Sequence, residues 1–291
     1  MNLDSKKNIS VIGSGIMGSG IAQVCAQSGF NVLLYDANQE GLTKAYPKIL
    51  TNIEKWCVKN NKTDEIDSIK ANLSIATSLE DLRNSDIIIE AITERLEAKQ
   101  ALFEQLENIV SSNTILASNT SGILISKIAR GASHPDRIIG THFFNPPPLM
   151  PLVEVVQGEQ TSEEVLINTV SFIERLNKTV IKAQDVSGFV VNRITTPMLT
   201  EAMLTLEAGI ASKEDIDQAI KLSMKHPIGP LELSDYIGLD TILMFMEGVY
   251  KETSKEGFKP PQILRKLVSE GKFGVKSGEG FYNYSKSKVN S

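Results

Sequence analysis

The chain has 291 residues, 41% hydrophobic and 22% charged, an ordinary globular composition with length for two domains. Its formal net charge of −5 argues against a general nucleic-acid partner. No apolar run is long enough to span a bilayer, residues 1–7 lack the apolar core of a signal peptide, and Cys25 and Cys57 have no metal-ligand spacing. A soluble, cytoplasmic protein with no membrane partner and no metal is expected.

Residues 8–12 are a short β-branched run, and Gly13-Ser14-Gly15-Ile16-Met17-Gly18 follows directly. Residues 16–28 carry Ile21, Val24 and Cys25 at helical spacing, and residues 31–36 form a second strand ending in Asp36. This is G-x-G-x-x-G leaving a strand and opening a helix. Gly13 permits the tight turn, Gly15 lets the backbone approach a pyrophosphate, and Gly18 lets helix and strand pack. The helix N-terminus faces the phosphates, and Asp36 can accept hydrogen bonds from a ribose diol. Ala37 and Asn38 follow the acid where a 2′-phosphate would want arginine, so NAD is favoured over NADP.

Residues 39–59 read as a long helix with one apolar face, whose far end carries Lys48, Lys55 and Lys59. Residues 64–71 suggest a further helix and 74–77 a short strand. Residues 86–93 read as a buried parallel strand because their apolar run is continuous. A helix over 94–110, a strand over 114–119, a helix over 162–176 and a strand over 179–182 complete the alternation. The pattern predicts a doubly wound parallel sheet of Rossmann type, with ligands at the carboxyl ends of the strands. Asp36, Glu94, Ser121 and His142 all fall at or just past such ends.

Residues 137–144 form a strand that delivers His142 near its end. Pro146-Pro147-Pro148 and Pro151 stiffen the turn that follows, and residues 152–156 bring back Glu154 on another strand. A histidine and a carboxylate so joined can meet side by side. Such a pair serves as a general acid/base, with the carboxylate fixing the tautomer. The two residues alone are equally compatible with a structural ion pair.

After residues 185–188 the strand signals stop, which puts a domain boundary between 185 and 186. Residues 189–210 read as one long helix with Pro197 inside it, where a kink is expected, and with Asn192 in its first turn. Helices over 212–224, 230–236, 239–254 and 261–270 follow, and then a glycine-rich, aromatic tail. The result is an all-α C-terminal domain, residues 186–291. Its apolar helices carry more hydrophobic surface than a small domain can bury, so a homodimer through this domain is expected. His134 and His226, each followed by proline, read as structural, and Trp56 as core.

Taken together, the chain resembles the L-3-hydroxyacyl-CoA dehydrogenases, in particular bacterial 3-hydroxybutyryl-CoA dehydrogenases. The resemblance rests on Gly13-Ser-Gly-Ile-Met-Gly18, Glu90-Ala-Ile-Thr-Glu94, Ser118-Asn-Thr-Ser121, His142-Phe-Phe-Asn-Pro146, Leu152-Val-Glu154-Val, Gly188-Phe-Val-Val-Asn192-Arg193 and Gly278-Glu-Gly-Phe-Tyr282. It covers essentially the whole chain. It implies NAD, an acyl-CoA substrate in the cleft between the domains, and a helical dimerisation domain. It also implies that Ser121 and Asn192 contact the substrate's oxygens and that His142 is the acid/base with Glu154 behind it. Glu94, Lys99, Asn119 and Lys276 match cofactor-site positions, and Lys59 and Asn52 match positions near the CoA. Two residues depart from the pattern: Gly122 stands where serine is often repeated, and Pro151 where lysine is usual.

Two alternatives carry the same architecture. One is a related dehydrogenase acting on a free 3-hydroxy or sugar acid; hydroxyisobutyrate-type enzymes use a catalytic lysine in the interdomain helix, where this chain has Asn192 and Arg193. The other is a non-enzymatic NAD-binding relative, which would have no need of Ser121, His142, Glu154 and Asn192 together.

Overall fold

The computed structural model describes residues 8–285. The polar stretch 1–7, read above for its lack of a signal peptide, lies outside the described residues. The chain divides into two compact units between Phe189 and Val190.

The first unit begins with β1 (Asn8–Ile12), α1 (Ile16–Gln27), β2 (Asn31–Tyr35) and α2 (Gln39–Lys59). α3 (Ile66–Ala71), β3 (Leu73–Ile75), β4 (Ile87–Glu90), α4 (Leu96–Glu107), β5 (Ile115–Ser118) and α5 (Ile125–Ile128) follow. β6 (Ile138–Phe143), β7 (Leu152–Gln157), α6 (Glu163–Arg175) and β8 (Thr179–Gln184) complete it. The strands form one eight-stranded sheet in the order β3-β2-β1-β4-β5-β6-β7-β8. β4 and β5 are buried along their whole length, which is why their apolar runs do not alternate. α2 buries Leu42, Ile49, Ile53 and Cys57 on one stripe, and the Asn38 side chain caps its start by accepting the N–H of Gly41 at 3.0 Å.

The doubly wound sheet carries a reversal at one edge. β6 and β7 pair antiparallel, while β8 pairs parallel with β7. A parallel return needs a crossover of about a dozen residues or more. Residues 144–151, half of them proline, cannot supply one, so β7 must come back beside β6 in reverse.

The short α5 carries no periodic signal, because four residues are too few to establish a helical period. Its start is fixed from far along the chain: the Asp185 carboxylate accepts the N–H groups of Ile125 and Ser126 at 2.7 and 2.8 Å. Asp185 is thereby tied to the first unit. Phe189, 1% exposed, is buried in the first unit's core. These two anchors explain why the first unit runs past the last strand to residue 189.

The second unit contains α7 (Val191–Glu207), α8 (Lys213–Met224), α9 (Pro230–Ile237), α10 (Leu239–Thr253) and α11 (Gln262–Ser269). Ser212 caps α8 by accepting the N–H of Asp215, and Pro230 occupies the first position of α9. Pro197 lies inside α7. Leu199, Met203, Leu231, Leu239, Met246 and Leu264 form the core. The tail is pinned by one buried carboxylate. Asp235 accepts the N–H groups of Phe281 and Tyr282 at 2.9 and 2.8 Å and the hydroxyl of Tyr284 at 3.1 Å. Asp235→Ala removes the acceptor of all three bonds at once. It should lower the second unit's stability by roughly 3 kcal/mol or more, measured by chemical denaturation; a loss below about 1 kcal/mol would show that the tail is held by its aromatic rings instead.

Candidate active site

The carboxyl ends of β1, β2, β4, β5 and β6 meet along one rim of the sheet, and each delivers a polar group there. At the end of β1, Gly13 has φ +106 and a side chain at this position would overlap the carbonyl of Ala91. A side chain at Gly18 would overlap the carbonyl of Gly13, so the turn folds back directly onto α1. Gly15, at the helix N-cap, has no heavy atom within 4 Å of where its Cβ would lie. That open approach to a helix N-terminus, beside the turn that Gly13 and Gly18 permit, fits the pyrophosphate of a dinucleotide. Ser14, Ile16 and Met17 complete the turn, and Ile16 is largely exposed.

Just past β2, the Asp36 carboxylate stands against the glycine turn. Its Oδ2 accepts the N–H of Ser14 at 2.6 Å and the Ser14 hydroxyl at 2.8 Å, and its Oδ1 accepts the N–H of Asn38. The acid that follows the second strand is therefore fixed by the turn it serves.

Beneath the rim runs a chain of charges that the sequence reading only partly named. Glu90, at the end of β4, is fully buried and Lys99 of α4 is 1% exposed. Lys99 Nζ donates to Glu90 Oε1 at 2.6 Å and stands 3.2 Å from Glu94 Oε2. Glu90 also accepts the N–H of Ile92 and the Ser118 hydroxyl. Glu94 Oε1 in turn accepts the Thr120 hydroxyl at 2.6 Å and the N–H of Ser121 at 2.8 Å, with Ser121 Oγ at 3.3 Å. Burial pushes the Glu94 carboxyl up, but Lys99 and the donors from Thr120 and Ser121 outweigh it and hold the group below its ordinary range. Asn119, between these elements, accepts the N–H of Phe143 at 2.9 Å and so ties the end of β5 to the end of β6.

His142 and Glu154 are directly paired in the β6–β7 register. His142 Nδ1 lies 2.7 Å from Glu154 Oε2. The carboxylate is fully buried and the histidine is 6% exposed. The imidazole is flanked by two rings, Phe144 at 4.5 Å and Phe189 at 5.8 Å between centroids. Phe189 has φ +48, an uncommon conformation for a non-glycine residue, and its ring packs against the histidine. Asn145–Pro146 is a cis peptide, and Pro146, Pro147 and Pro148 form one wall of a cavity of about 520 Å³. Ser14, Gly15 and Ile16 line the same cavity, with Lys44, Lys48 and Asn52 of α2.

The remaining expected residues are Lys59, Asn192 and Lys276. Lys59 is exposed at the end of α2, two turns beyond Asn52, and is not among the residues lining that cavity. Asn192 is half-buried in the first turn of α7, in the second unit. Lys276, also in the second unit, donates to Asp240 Oδ2 at 2.7 Å. Among the described residues no group of three His, Cys, Asp or Glu side chains is placed to hold a metal ion. Glu90, Ser118, Thr120 and Phe189 belong to the site's framework, although the sequence reading gave them no role. The one available signal was an acid closing an otherwise apolar strand, as Glu90 does.

A glycine turn and an acid after β2 mark a dinucleotide-binding fold; a histidine–carboxylate pair on the same rim adds a proton donor and acceptor. That combination fits a dinucleotide-dependent oxidoreductase. Comparison with known proteins carries this further. The family described as 3-hydroxyacyl-CoA dehydrogenase, NAD binding domain, matches residues 8–186, and its C-terminal domain matches residues 188–284. A probable 3-hydroxybutyryl-CoA dehydrogenase of Deinococcus radiodurans is 45% identical, covering 94% of this chain and 99% of its own. One from Bacillus subtilis is 43% identical over 96% of this chain and 97% of its own. The crystal structure of (S)-3-hydroxybutyryl-CoA dehydrogenase from Ralstonia eutropha superposes with a TM-score of 0.92 at 41% identity, covering 96% of this chain and 99% of that one. The chain belongs to the 3-hydroxyacyl-CoA dehydrogenase family, and it is an NAD-dependent oxidoreductase.

The buried charge chain gives a pH-dependent prediction. Glu94's folded pKa is depressed, so the stability it contributes is complete above the unfolded value of about 4.3 and is lost as pH falls through the lower folded value. Lys99→Met leaves the buried Glu90 and the half-buried Glu94 without their shared cation. It should cost roughly 3–5 kcal/mol at neutral pH, and the gap to the wild type should narrow below about pH 4. Urea unfolding at the two pH values measures this; a gap independent of pH would mean that packing of the lysine stem dominates.

Proposed function

We propose that the chain interconverts (S)-3-hydroxyacyl-CoA and 3-ketoacyl-CoA, with 3-hydroxybutyryl-CoA the preferred substrate. The observation that carries this reading is the 2.7 Å contact between His142 Nδ1 and Glu154 Oε2, on register-paired strands at the cofactor rim. The names of the relatives supply the acyl-CoA class.

NAD, when bound, would supply the hydride acceptor for oxidation at C3 of the hydroxyacyl group, and NADH the hydride donor for the reverse. The turn from Gly13 to Gly18 would hold its pyrophosphate and Asp36 its adenosine ribose, with Glu94, Lys99, Asn119 and Lys276 completing the cofactor site. With Nδ1–H held by Glu154, the imidazole exchanges its proton through Nε2. In the oxidative direction neutral His142 removes the hydroxyl proton; in the reductive direction the imidazolium delivers it to the oxygen at C3. Glu154 fixes the ring and stabilises the imidazolium, and the burial of both side chains strengthens their interaction. Ser121 and Asn192 act as polar contacts to the substrate's oxygens, where charge develops in the transition state. Asn52 and Lys59 serve the CoA end. The second unit exposes Ile194, Ile210, Leu222, Met224 and Met244, which supports a homodimer formed through it.

A series of 3-ketoacyl-CoA chain lengths with NADH tests the reading. Acetoacetyl-CoA should have the highest kcat/KM, and failure to reduce any member would sink the proposal. His142→Gln should lower kcat by about 10²–10⁴ while NADH still binds. Glu154→Gln should lower kcat without loss of fold, because it leaves the ring without its carboxylate. If both variants retain full kcat, the pair is a structural contact.

Cofactor choice gives a separate check. Asp36→Ala should narrow the preference for NADH over NADPH in side-by-side kcat/KM measurements. A wild-type enzyme that prefers NADPH would contradict the role given to Asp36.

A further inference from the structure

The turn between β6 and β7 is short of hydrogen-bond donors. Pro146, Pro147, Pro148 and Pro151 have no N–H, so the turn presents more carbonyls than its own backbone can pair. The N–H groups of Leu149 and Met150 both go to the carbonyl of Pro146, each at 3.0 Å. The carbonyls of Pro147 and Met150 are taken by a side chain from just before β8: Lys178 Nζ donates to them at 2.7 and 2.8 Å. Thr179, the next residue and the first of β8, donates its N–H to Pro151 O at 2.7 Å. One residue pair therefore holds both halves of the turn.

Neither acceptor of Lys178 is a carboxylate. The side chain is half-buried, and burial pushes its ammonium below the ordinary range. Placing a cation there without a counter-charge costs free energy, and what it achieves is geometric: it fixes Pro147. The other face of Pro147 bears on α1. A Cβ at Gly20 would come within 2.7 Å of Pro147 Cδ and 2.9 Å of its Cγ. Pro147 is therefore held between Lys178 and the helix that opens at the glycine turn. Pro146, Pro147 and Pro148 also line the cavity of about 520 Å³ that Ser14, Gly15 and Ile16 line. Lys44 and Lys48 line it as well, so a cavity at a helix N-terminus also carries two cationic side chains.

We propose that Lys178 is a positioning residue that sets the proline wall of this cavity and so acts on binding of the nucleotide ligand beside it. The inference rests on the functional reading above, in which NAD and acyl-CoA are the two nucleotide ligands. Lys178 acts through Pro147 and touches neither ligand.

The test compares Lys178→Met, which keeps the stem and removes the donors, with Lys178→Arg, which restores two donors. The dissociation constant of NADH is measured by fluorescence titration, and KM and kcat are measured with acetoacetyl-CoA. Lys178→Met should raise at least one of the two binding constants about tenfold while kcat changes less than threefold. Lys178→Arg should recover most of that loss. Gly20→Ala, which pushes Pro147 from the other side, should move the same constant. A rise in the NADH constant shows that the wall bears on the dinucleotide; a rise in the acyl-CoA KM alone shows that it bears on CoA. Both constants unchanged in folded Lys178→Met, or a fall in kcat alone, overturns the proposal. Where Lys178→Met does not fold, Gly20→Ala decides by the same criteria. A wild type that reduces no acyl-CoA refutes the functional reading instead, and the NADH titration then decides the role of Lys178.

Discussion

The site depends on one reversal of chain direction. The strands β1 to β6 all run parallel to one another, so each ends at the same rim. A histidine at the end of β6 would ordinarily face loops there. The proline turn instead sends the chain back along β6, and the antiparallel register sets Glu154 directly opposite His142. Cross-strand pairs in such a ladder stand with their Cβ atoms about 5 Å apart, a span that an imidazole and a glutamate side chain can close with a hydrogen bond. The distance of 2.7 Å is thus a consequence of strand direction and register, not of a flexible loop finding its partner.

The second requirement is that buried charge be neutralised locally. Glu90, Lys99 and Glu94 place two carboxylates around one ammonium under the rim, with hydroxyls and N–H groups filling the remaining acceptor sites. A half-satisfied set of this kind would cost more than an apolar core, whereas a fully paired one is rigid. Rigidity is what the location needs, because Glu94 fixes the backbone of Ser121, and Asn119, hydrogen-bonded to the backbone of both Glu90 and Phe143, links β4 to β6. The acid/base pair and the polar contacts expected of Ser121 are therefore parts of one hydrogen-bonded frame.

Much of this was legible in the sequence because it is written in short-range signals. The glycine turn, the acid after the second strand and the continuous apolar runs of β4 and β5 each occupy a few adjacent residues. The strand–proline–strand stretch carried enough to bring His142 and Glu154 together. Features that depend on distant contacts were not legible. Nothing near Asp185 announces that it caps α5, sixty residues earlier. Glu90 could be seen as an acid closing an apolar strand, but its partner Lys99 lies on the next helix, and spacing alone does not separate a buried lysine from a solvated one. The extension of the first unit to Phe189 likewise depends on where a ring packs, not on composition.

The two departures from the family pattern can be weighed against this frame. At Gly122 the side chain is missing, but the backbone N–H still reaches Thr120 Oγ1 at 3.3 Å, and the neighbouring Ile123 N–H does so at 2.9 Å. The turn after β5 therefore keeps its shape without a second hydroxyl, and its donors to Glu94 remain those of Thr120 and Ser121. Pro151 ends the turn before β7, where its carbonyl still accepts the N–H of Thr179. Proline there removes a donor from a turn already poor in them and leaves the remaining carbonyls more dependent on Lys178. Neither position contributes a side chain to the His142–Glu154 pair. The change at 122 is absorbed by local backbone bonds, whereas the change at 151 shifts the burden of holding the turn onto a neighbouring strand.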